Sequence, residues 1–312
     1  MILVIYIVFI DDFRMTLEQL RIFVAVAERQ HMSRAAEALN LTQSAASAAV
    51  AALEHRYGAR LFDRVGRGLT LSAVGRAFLP EARAVLAQAR IAAAALDDLG
   101  EMRRGRIILY ASQTLSSYWL PPHLVAFATA YPKVEVSLTV GNTAGVARAL
   151  LEGEAELGLV EGAVAAPLLV QETVGHDRLA IVVAPGHPLA RAAEVRWRDL
   201  ADLAWVLREP GSGTRSEFEQ AALRGGLDPA GLHALLELPS NESVLAAAAS
   251  GGLVAAVSEL AAQPMIAAGR IHRLPLAVAT RTFELLTHTQ RSRTRAAAAF
   301  IALLKSRPDA MS

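Results

Sequence analysis

The stretch REPGSGTR, Arg208 to Arg215, follows an apolar run at 203–207 and leads into SEFEQAAL, which reads as a helix. Gly211 and Gly213 let backbone N–H groups turn toward one point. Ser212 and Thr214 add hydroxyls there, and the helix N-terminus adds partial positive charge. This is chemistry for holding an anion. It is poor chemistry for transforming one: no lysine follows the glycines as in a nucleotide P-loop, a dinucleotide fingerprint would need a third glycine, and Pro210 stands where a nucleophile elbow needs its first glycine. A plain tight turn, with Thr214 as an ordinary helix cap, is the simpler alternative.

Three other strand-to-helix junctions carry similar groups. ASQTLSSYWLP places Ser112 and Thr114 at the end of a strand, VGNTAGVARAL places Asn142 and Thr143, and ELPSNESVLAAA places Ser240, Asn241 and Ser243. Ligands of α/β sheets bind beyond the carboxyl ends of the strands, where helix N-termini converge. The pattern predicts a cleft for a small oxyanion neutralised by dipoles and hydroxyls. Glu161 and Arg215 are further candidates to face it, each with an ordinary surface role as the alternative. Eight histidines show no pair at metal-ligand spacing and cysteine is absent, so neither a metal, a cofactor nor thiolate catalysis is expected.

A second constellation lies near the N-terminus. Leu17, Leu20, Ile22, Phe23 and Val26 recur at helical spacing behind Thr16, a candidate N-cap. Ser33 is placed to cap a short helix, RAAEAL, which breaks at Asn40. Thr42 then caps QSAASAAVAALEHRY, which Gly58 closes. Two short helices around such a break are the sequence form of a helix-turn-helix. Ala35, Ala36, Ala45 and Ala46 supply the small residues for the crossing, and Leu39 and Leu41 the wedge at the turn. Gln43, Ser44 and Ser47 lie opposite Ala46, Val50 and Leu53, so short polar side chains open the third helix, where they can reach base edges and phosphates. Between Met15 and Phe78 there are eight arginines against five acids, and the excess gathers in RLFDRVGRG, a basic hairpin suited to tracking phosphates. The candidate DNA contacts are Arg34, Thr42, Gln43, Ser44, Ser47, Arg64 and Arg67. A small alanine-rich bundle with a charged face is the bland alternative.

The elements that must position these groups fall into two regimes. Helical periodicity persists to about Gly100, ending in a long alanine-rich helix on which Phe78, Val85, Leu86, Ala89 and Leu96 form one stripe for a partner helix. Pro80 marks either a kink or the start of that helix. MRRG at 102–105 reads as a hinge. Thereafter RIILYAS, VEVSLTV, AELGLV, RLAIVVA, LAWVL and GLVAAV are short strands alternating with helices, which implies an α/β sheet with parallel strands. The opening MILVIYIVFI is too short to span a bilayer and has no basic lead. A start at Met15 is the favoured expectation, with a buried or swapped strand as the alternative. The overall charge of +1 on 312 residues says little about partners.

From LEQLRIFVAVAERQHMSRAAEALNLTQSAASAAVAALEHRYGARLFDRVGRGLTLSAVGRAFL onward the chain resembles LysR-type transcriptional regulators, through HPLA at 187–190 to the C-terminus. The resemblance implies a winged helix-turn-helix (15–72), a linker and dimerisation helix with hinge (73–104), and a periplasmic-binding-protein-like α/β effector domain (105–312). Within the last, subdomain I is expected over about 105–163 and 277–312 and subdomain II over 164–276, with crossings near 160–164 and 271–276. Residues 1–14 stand outside this plan. Ser44 replaces a frequent proline of the family, and Ala48 and Ala49 replace longer polar residues, so the recognition helix is poor in side chains that reach bases and the division between direct readout and DNA shape stays open.

ASQT, VGNT, LGLVEG, REPGSGT and PSNESV look most like the sulfur-metabolism branch of that family. That branch implies sulfate, sulfite, thiosulfate or an O-acetylserine-like effector, with carboxylates equally suited to helix N-termini. The expected effector contacts are Ser112, Thr114, Asn142, Thr143, Glu161, Gly211, Ser212, Gly213, Thr214 and Asn241. A cytoplasmic, non-enzymatic regulator of promoter DNA is expected, dimeric through the linker helix and commonly tetrameric, with no membrane partner. A solute-binding or enzymatic protein on the same scaffold is the alternative.

Overall fold

The computed structural model describes residues 15–65, 68–97, 105–278 and 280–306. The chain divides into two compact units, Met1–Ala93 with Leu151–Glu154, and Ala94–Leu150 with Ala155–Ser312. The expectations for residues 1–14, for Arg67 and for the hinge at 102–104 lie outside the described residues.

The first unit begins with α1 (Leu17–Arg29), α2 (Met32–Ala38) and α3 (Gln43–Tyr57). Thr16 opens α1 in a reciprocal capping box with Gln19, satisfying two N–H groups that the helix itself leaves unpaired. Leu20, Phe23 and Val26 put the apolar face of α1 into a core closed by Ala35, Ala36 and Ala46, all essentially inaccessible. Ala45 is exposed, because it sits one helical step off the contact, so the helices cross on three alanines rather than four. Asn40 at φ 56° makes the turn and Gly58 at φ 58° ends α3, both left-handed conformations that these residues tolerate. Ser33 does not cap α2. His31 precedes that helix as its N-cap, and the Ser33 hydroxyl instead donates to Gln43 Oε1 at 3.0 Å, tying α2 to the start of α3.

Strands β1 (Phe62–Val65) and β2 (Gly68–Leu71) pair antiparallel in register Phe62 to Leu71, forming the wing. Then α4 (Ala73–Asp97) runs through Pro80 without ending there. A Cβ on Gly75 would lie 2.1 Å from Leu61 O, so only glycine lets α4 approach the wing this closely. Phe23 stacks against Phe62 and Phe78 at centroid distances of 5.5 and 5.1 Å. The stripe expected on α4 is therefore split: Phe78 and Leu86 pack on the unit's own core, while Val85 is exposed and the Leu96 side chain lies outside the described residues.

The second unit is built on a nine-stranded sheet. In chain order its strands and helices are β3 (Gly105–Ser112), a π-helical turn (Leu115–Trp119) running into α5 (Leu120–Ala130), β4 (Val134–Gly141), α6 (Thr143–Leu151), β5 (Leu157–Glu161), β6 (Leu169–Val183), β7 (Ala204–Arg208), α7 (Gly213–Arg224), β8 (His233–Leu238), α8 (Asn241–Ala249), β9 (Val254–Ser258), α9 (Glu259–Ala267), β10 (His272–Arg273), β11 (Thr280–His288) and α10 (Arg295–Ser306).

The order along the sheet is β4-β3-β5-β11-β6-β9-β7-β8, with β10 beside β6. Two parallel clusters, β4-β3-β5 and β9-β7-β8, are thus joined by β11 and β6, which pair antiparallel with each other and with their outer neighbours. The sheet is mixed, where strand–helix alternation alone suggested parallel pairing. The fifteen-residue β6 serves both halves: its first part pairs with β11 as far as Arg178 opposite Thr280, and its remainder pairs with β9 from Leu179. Along β6 the hydrogen-bonding partner thus changes from β11 to β9 between Arg178 and Leu179. Leu109, Leu159, Phe283 and Phe300 fill one core, and Ile181, Trp205 and Phe218 another.

Candidate functional site

In the first unit, Arg34, Thr42, Gln43, Ser44, Ser47 and Arg64 are all exposed, while Ala46, Val50 and Leu53 on the opposite side of α3 are buried. Thr42 Oγ1 accepts from Ala45 N at 3.2 Å and shares a 3.0 Å hydrogen bond with the Ser44 hydroxyl. The solvent face of α3 thus opens with short polar groups beside a helix N-terminus, and arginines lie in α2 and the wing.

In the second unit, the predicted residues gather where β3, β4, β5 and β7 end and α6, α7 and α8 begin. Two hydrogen-bonded groups form. In one, Gln113 Oε1 accepts from Asn241 N at 3.0 Å and Asn241 Nδ2 at 2.6 Å, and Nδ2 also donates to Thr114 Oγ1 at 2.9 Å. Gln113 Nε2 and the Tyr118 hydroxyl both donate to the Glu242 carboxylate, the hydroxyl at 2.8 Å. In the other, Thr143 Oγ1 donates to Glu161 Oε2 at 3.4 Å, and Thr214 Oγ1 accepts from Arg281 Nη1 at 2.9 Å. Arg281 is fully buried, donates through Nε and Nη2 to Asp177 Oδ2 at 3.0 and 2.6 Å, and lies 3.9 Å from Glu161 Oε1.

The glycine loop lies against the β4–α6 junction. Asn142 Oδ1 accepts from Gly145 N at 2.9 Å, while Asn142 Nδ2 donates to Pro210 O at 3.4 Å and Glu209 Oε1 at 3.3 Å. Ala144 N donates to Gly211 O at 3.2 Å, and Gly211 adopts φ 86°, a conformation strained for any other residue. A Cβ on Gly213 would lie 2.6 Å from Thr143 Oγ1, so Gly211 serves the turn and Gly213 the close approach. Ser212 precedes α7 and is buried, without a side-chain capping bond.

Arg208 ends β7 beside the first of these groups. Its guanidinium is 3% exposed, donates to Glu209 through Nε and Nη2, and reaches Gln113 Oε1 at 3.5 Å. Arg215 spends its donors on Glu219, Glu237 and the Arg208 carbonyl. Sequence reasoning missed Gln113, Arg208 and Glu209 although all three lie in the stretches that drew attention. Asp177 and Arg281 carried no local signal, being 104 residues apart. Ser112 Oγ, Asn241 Oδ1 and Ser258 Oγ are buried without hydrogen-bond partners, three polar atoms that a ligand could satisfy.

Burial works against the Glu242 charge, yet hydrogen bonds from Tyr118, its own backbone, Gln113 and Ser240 hold its carboxyl below the usual value of 4.5. Burial, and then Glu242 itself, push the Tyr118 hydroxyl up. A depressed carboxyl pKa contributes stability that is complete above the unfolded value and is lost as pH falls through the folded one. The melting temperature of Glu242→Gln is therefore expected to fall below wild type at pH 7, and the gap to close as pH falls below the ordinary carboxyl range and through the depressed folded value. A gap that persists or widens in acid would show that Glu242 acts by packing alone.

Comparison with known proteins agrees with both units. The description "Bacterial regulatory helix-turn-helix protein, lysR family" matches residues 17–76, and "LysR substrate binding domain" matches residues 100–309. The uncharacterized HTH-type transcriptional regulator YeiE of Escherichia coli K12 is 33% identical over 288 residues, covering 92% of this chain and 96% of its own. The regulatory domain of Synechocystis PCC6803 CcmR, solved in complex with 2-PG, aligns with TM-score 0.61 at 25% identity, covering 67% of this chain and 99% of its own. Full-length CbnR, solved with its target DNA, aligns with TM-score 0.66 at 22% identity over 94% of this chain and 99% of its own. These neighbours leave only a loose tie to the sulfur-metabolism branch. Among the described residues no helix is long and apolar enough to cross a membrane. With a family match over more than half its length and relatives that are transcriptional regulators, the chain belongs to the LysR family of DNA-binding transcriptional regulators and is not an enzyme.

Proposed function

We propose that this regulator binds double-stranded promoter DNA and that a small anionic effector in the cleft of its second unit sets that binding. The observation that carries the reading is Arg208: a buried guanidinium at the end of β7, bonded to Gln113, which in turn bonds Asn241, whose buried Oδ1 lacks a partner. CcmR, a structural neighbour, binds 2-PG, a small anion, in its regulatory domain. Ser112, Thr114, Asn142, Thr143, Glu161, Gly211, Ser212, Gly213, Thr214 and Asn241 frame the effector cleft, joined by Gln113 and Arg208. A carboxylate, phosphate or sulfite-type oxyanion fits these donors.

On the DNA side, Arg34, Thr42, Gln43, Ser44, Ser47, Arg64 and Arg67 meet the major groove and its flanking phosphates, as the family's role with DNA supports. Dimers form through α4, with Val85 on the exposed face, and pair as tetramers; binding to chromosomal promoters places the protein in the cytoplasm. The test is calorimetry of the full chain with 2-PG, sulfite, sulfate and thiosulfate, followed by gel shifts on promoter fragments with and without the binding anion. At least one anion is expected to bind with micromolar to millimolar affinity and to move the DNA titration. Binding of none, or binding that leaves the gel shift unchanged, overturns the reading.

A further inference from the structure

Arg208 is already holding a carboxylate. Its Nε donates to Glu209 Oε2 at 2.8 Å and its Nη2 to Glu209 Oε1 at 3.0 Å, the two-point arrangement by which guanidinium binds a planar oxyanion. Asn142, from the β4–α6 junction, adds a third donor to the same Oε1 at 3.3 Å. Neighbouring residues of a strand point to opposite faces, so the pair can form only because β7 ends at Arg208 and the chain turns at Glu209. Arg208 is 3% exposed and Glu209 24%, so the cation is built in while the anion lies at the rim.

The donors around Glu209 are those through which the cleft would take an effector. Gln113 Oε1 accepts from both Arg208 and Asn241, which places Arg208 one side chain from Asn241, whose buried Oδ1 has no partner. Resting on the reading of the cleft as an anion site, we infer that Glu209 is a built-in competitor for it. Its carboxylate neutralises Arg208 in the absence of effector. The effector displaces it by presenting two oxygens to the same Nε and Nη2 edge, and Glu209 turns out to solvent. This selects the chemical class. The ligand is a small carboxylate, phosphate monoester or sulfite-type anion with two oxygens free, and it also carries a hydrogen-bond donor, such as a hydroxyl or acidic proton, for Asn241 Oδ1. A halide lacks both features.

Exchange of one carboxylate for one oxyanion also shifts the concentration range over which the site fills. The effector must outbid an intramolecular partner, whose effective concentration is set by its tether, so the response moves to raised effector levels.

The experiment is calorimetry of the full chain and of Glu209→Gln, Glu209→Ala and Arg208→Gln with four probes: 2-PG, glycolate, inorganic phosphate and sulfite. Both Glu209 variants are expected to bind the active probe at least about tenfold tighter than wild type, and Arg208→Gln to lose binding. Among the probes, those with both a two-oxygen face and a donor are expected to gain most. If Arg208→Gln loses binding but both Glu209 variants bind as wild type or more weakly, the competitor is overturned while the anion site stands. If Arg208→Gln binds as wild type, or if no probe binds wild type or either Glu209 variant, the anion site itself fails and the competitor falls with it. Binding by the Glu209 variants alone supports the competitor.

Discussion

Ser44→Glu is expected to weaken promoter binding at least about 100-fold, corresponding to roughly 2.7 kcal/mol, while leaving the fold intact. Ser44 is the second residue of α3 and is exposed, its hydroxyl within 3.0 Å of Thr42 Oγ1. In the proposed docking, this end of α3 faces the groove, where a carboxylate would meet phosphates at short range with little room for water. A single pair of like charges at 4 Å costs from about 1 kcal/mol in water to about 4 kcal/mol near a protein surface, so 100-fold needs roughly one to three such encounters.

The same carboxylate is favourable for the free protein. A negative charge in the first turn complements the helix dipole by about 0.3–1 kcal/mol, so the melting temperature should hold or rise slightly. The two readouts therefore move apart, and misfolding cannot imitate that outcome. Gel shifts at two salt concentrations, with melts of the same samples, check it. Unchanged affinity would mean that α3 does not present this face to DNA.

Arg281→Met is expected to destabilise the second unit by about 3–5 kcal/mol, the usual consequence of removing one partner from a buried ion pair. Arg281 on β11 lies directly opposite Asp177 on β6, and its guanidinium is completely buried with Asp177 and Glu161, whose side chains are 1% and 2% exposed. Methionine fills much of the volume but leaves two acids without a cation. It also deprives Thr214 Oγ1 of its donor, so the glycine loop loses an anchor. Against a typical total stability of about 5–15 kcal/mol, the change should be plain in the urea midpoint.

Asp177→Asn in the Arg281→Met background is expected to recover part of the loss, because one uncompensated charge disappears with the second substitution. A loss under about 1 kcal/mol for Arg281→Met, or no recovery in the double variant, would show that packing rather than charge holds this junction. The network also bears on response. Asp177 and Arg281 sit one residue from the pair Arg178 and Thr280, where β6 leaves β11, so they brace the two sheet halves at their passage.

The helical head was legible because its signals are local. Thr16, Asn40, Thr42 and Gly58 act on backbone within a few residues, and each did in the fold what its position in the chain called for. Ser33 and Ala45 were misread where a local rule met a tertiary choice: His31 took the cap, and the helix crossing turned Ala45 outward. On α4 a single apolar stripe looked like one interface, yet Phe78 and Leu86 were claimed by the unit's own core, since any nearby apolar surface competes for the same side chains.

The kind of chemistry available is written in residue types and short spacings: four strand-to-helix junctions rich in hydroxyls and amides, no P-loop lysine, and a polar start to α3. Those features depend on residue type and short spacing, which folding cannot alter. Which charges meet depends instead on how distant segments pack. Arg208 and Arg215 are seven residues apart and equally cationic on paper, but Glu219 and Glu237 occupy one while the turn after β7 delivers Glu209 to the other. Arg281 meets Asp177 only because β6 and β11 pair across 104 residues. Electrostatic roles are settled by proximity and by exclusion of water, and both arise only when distant segments close on one another.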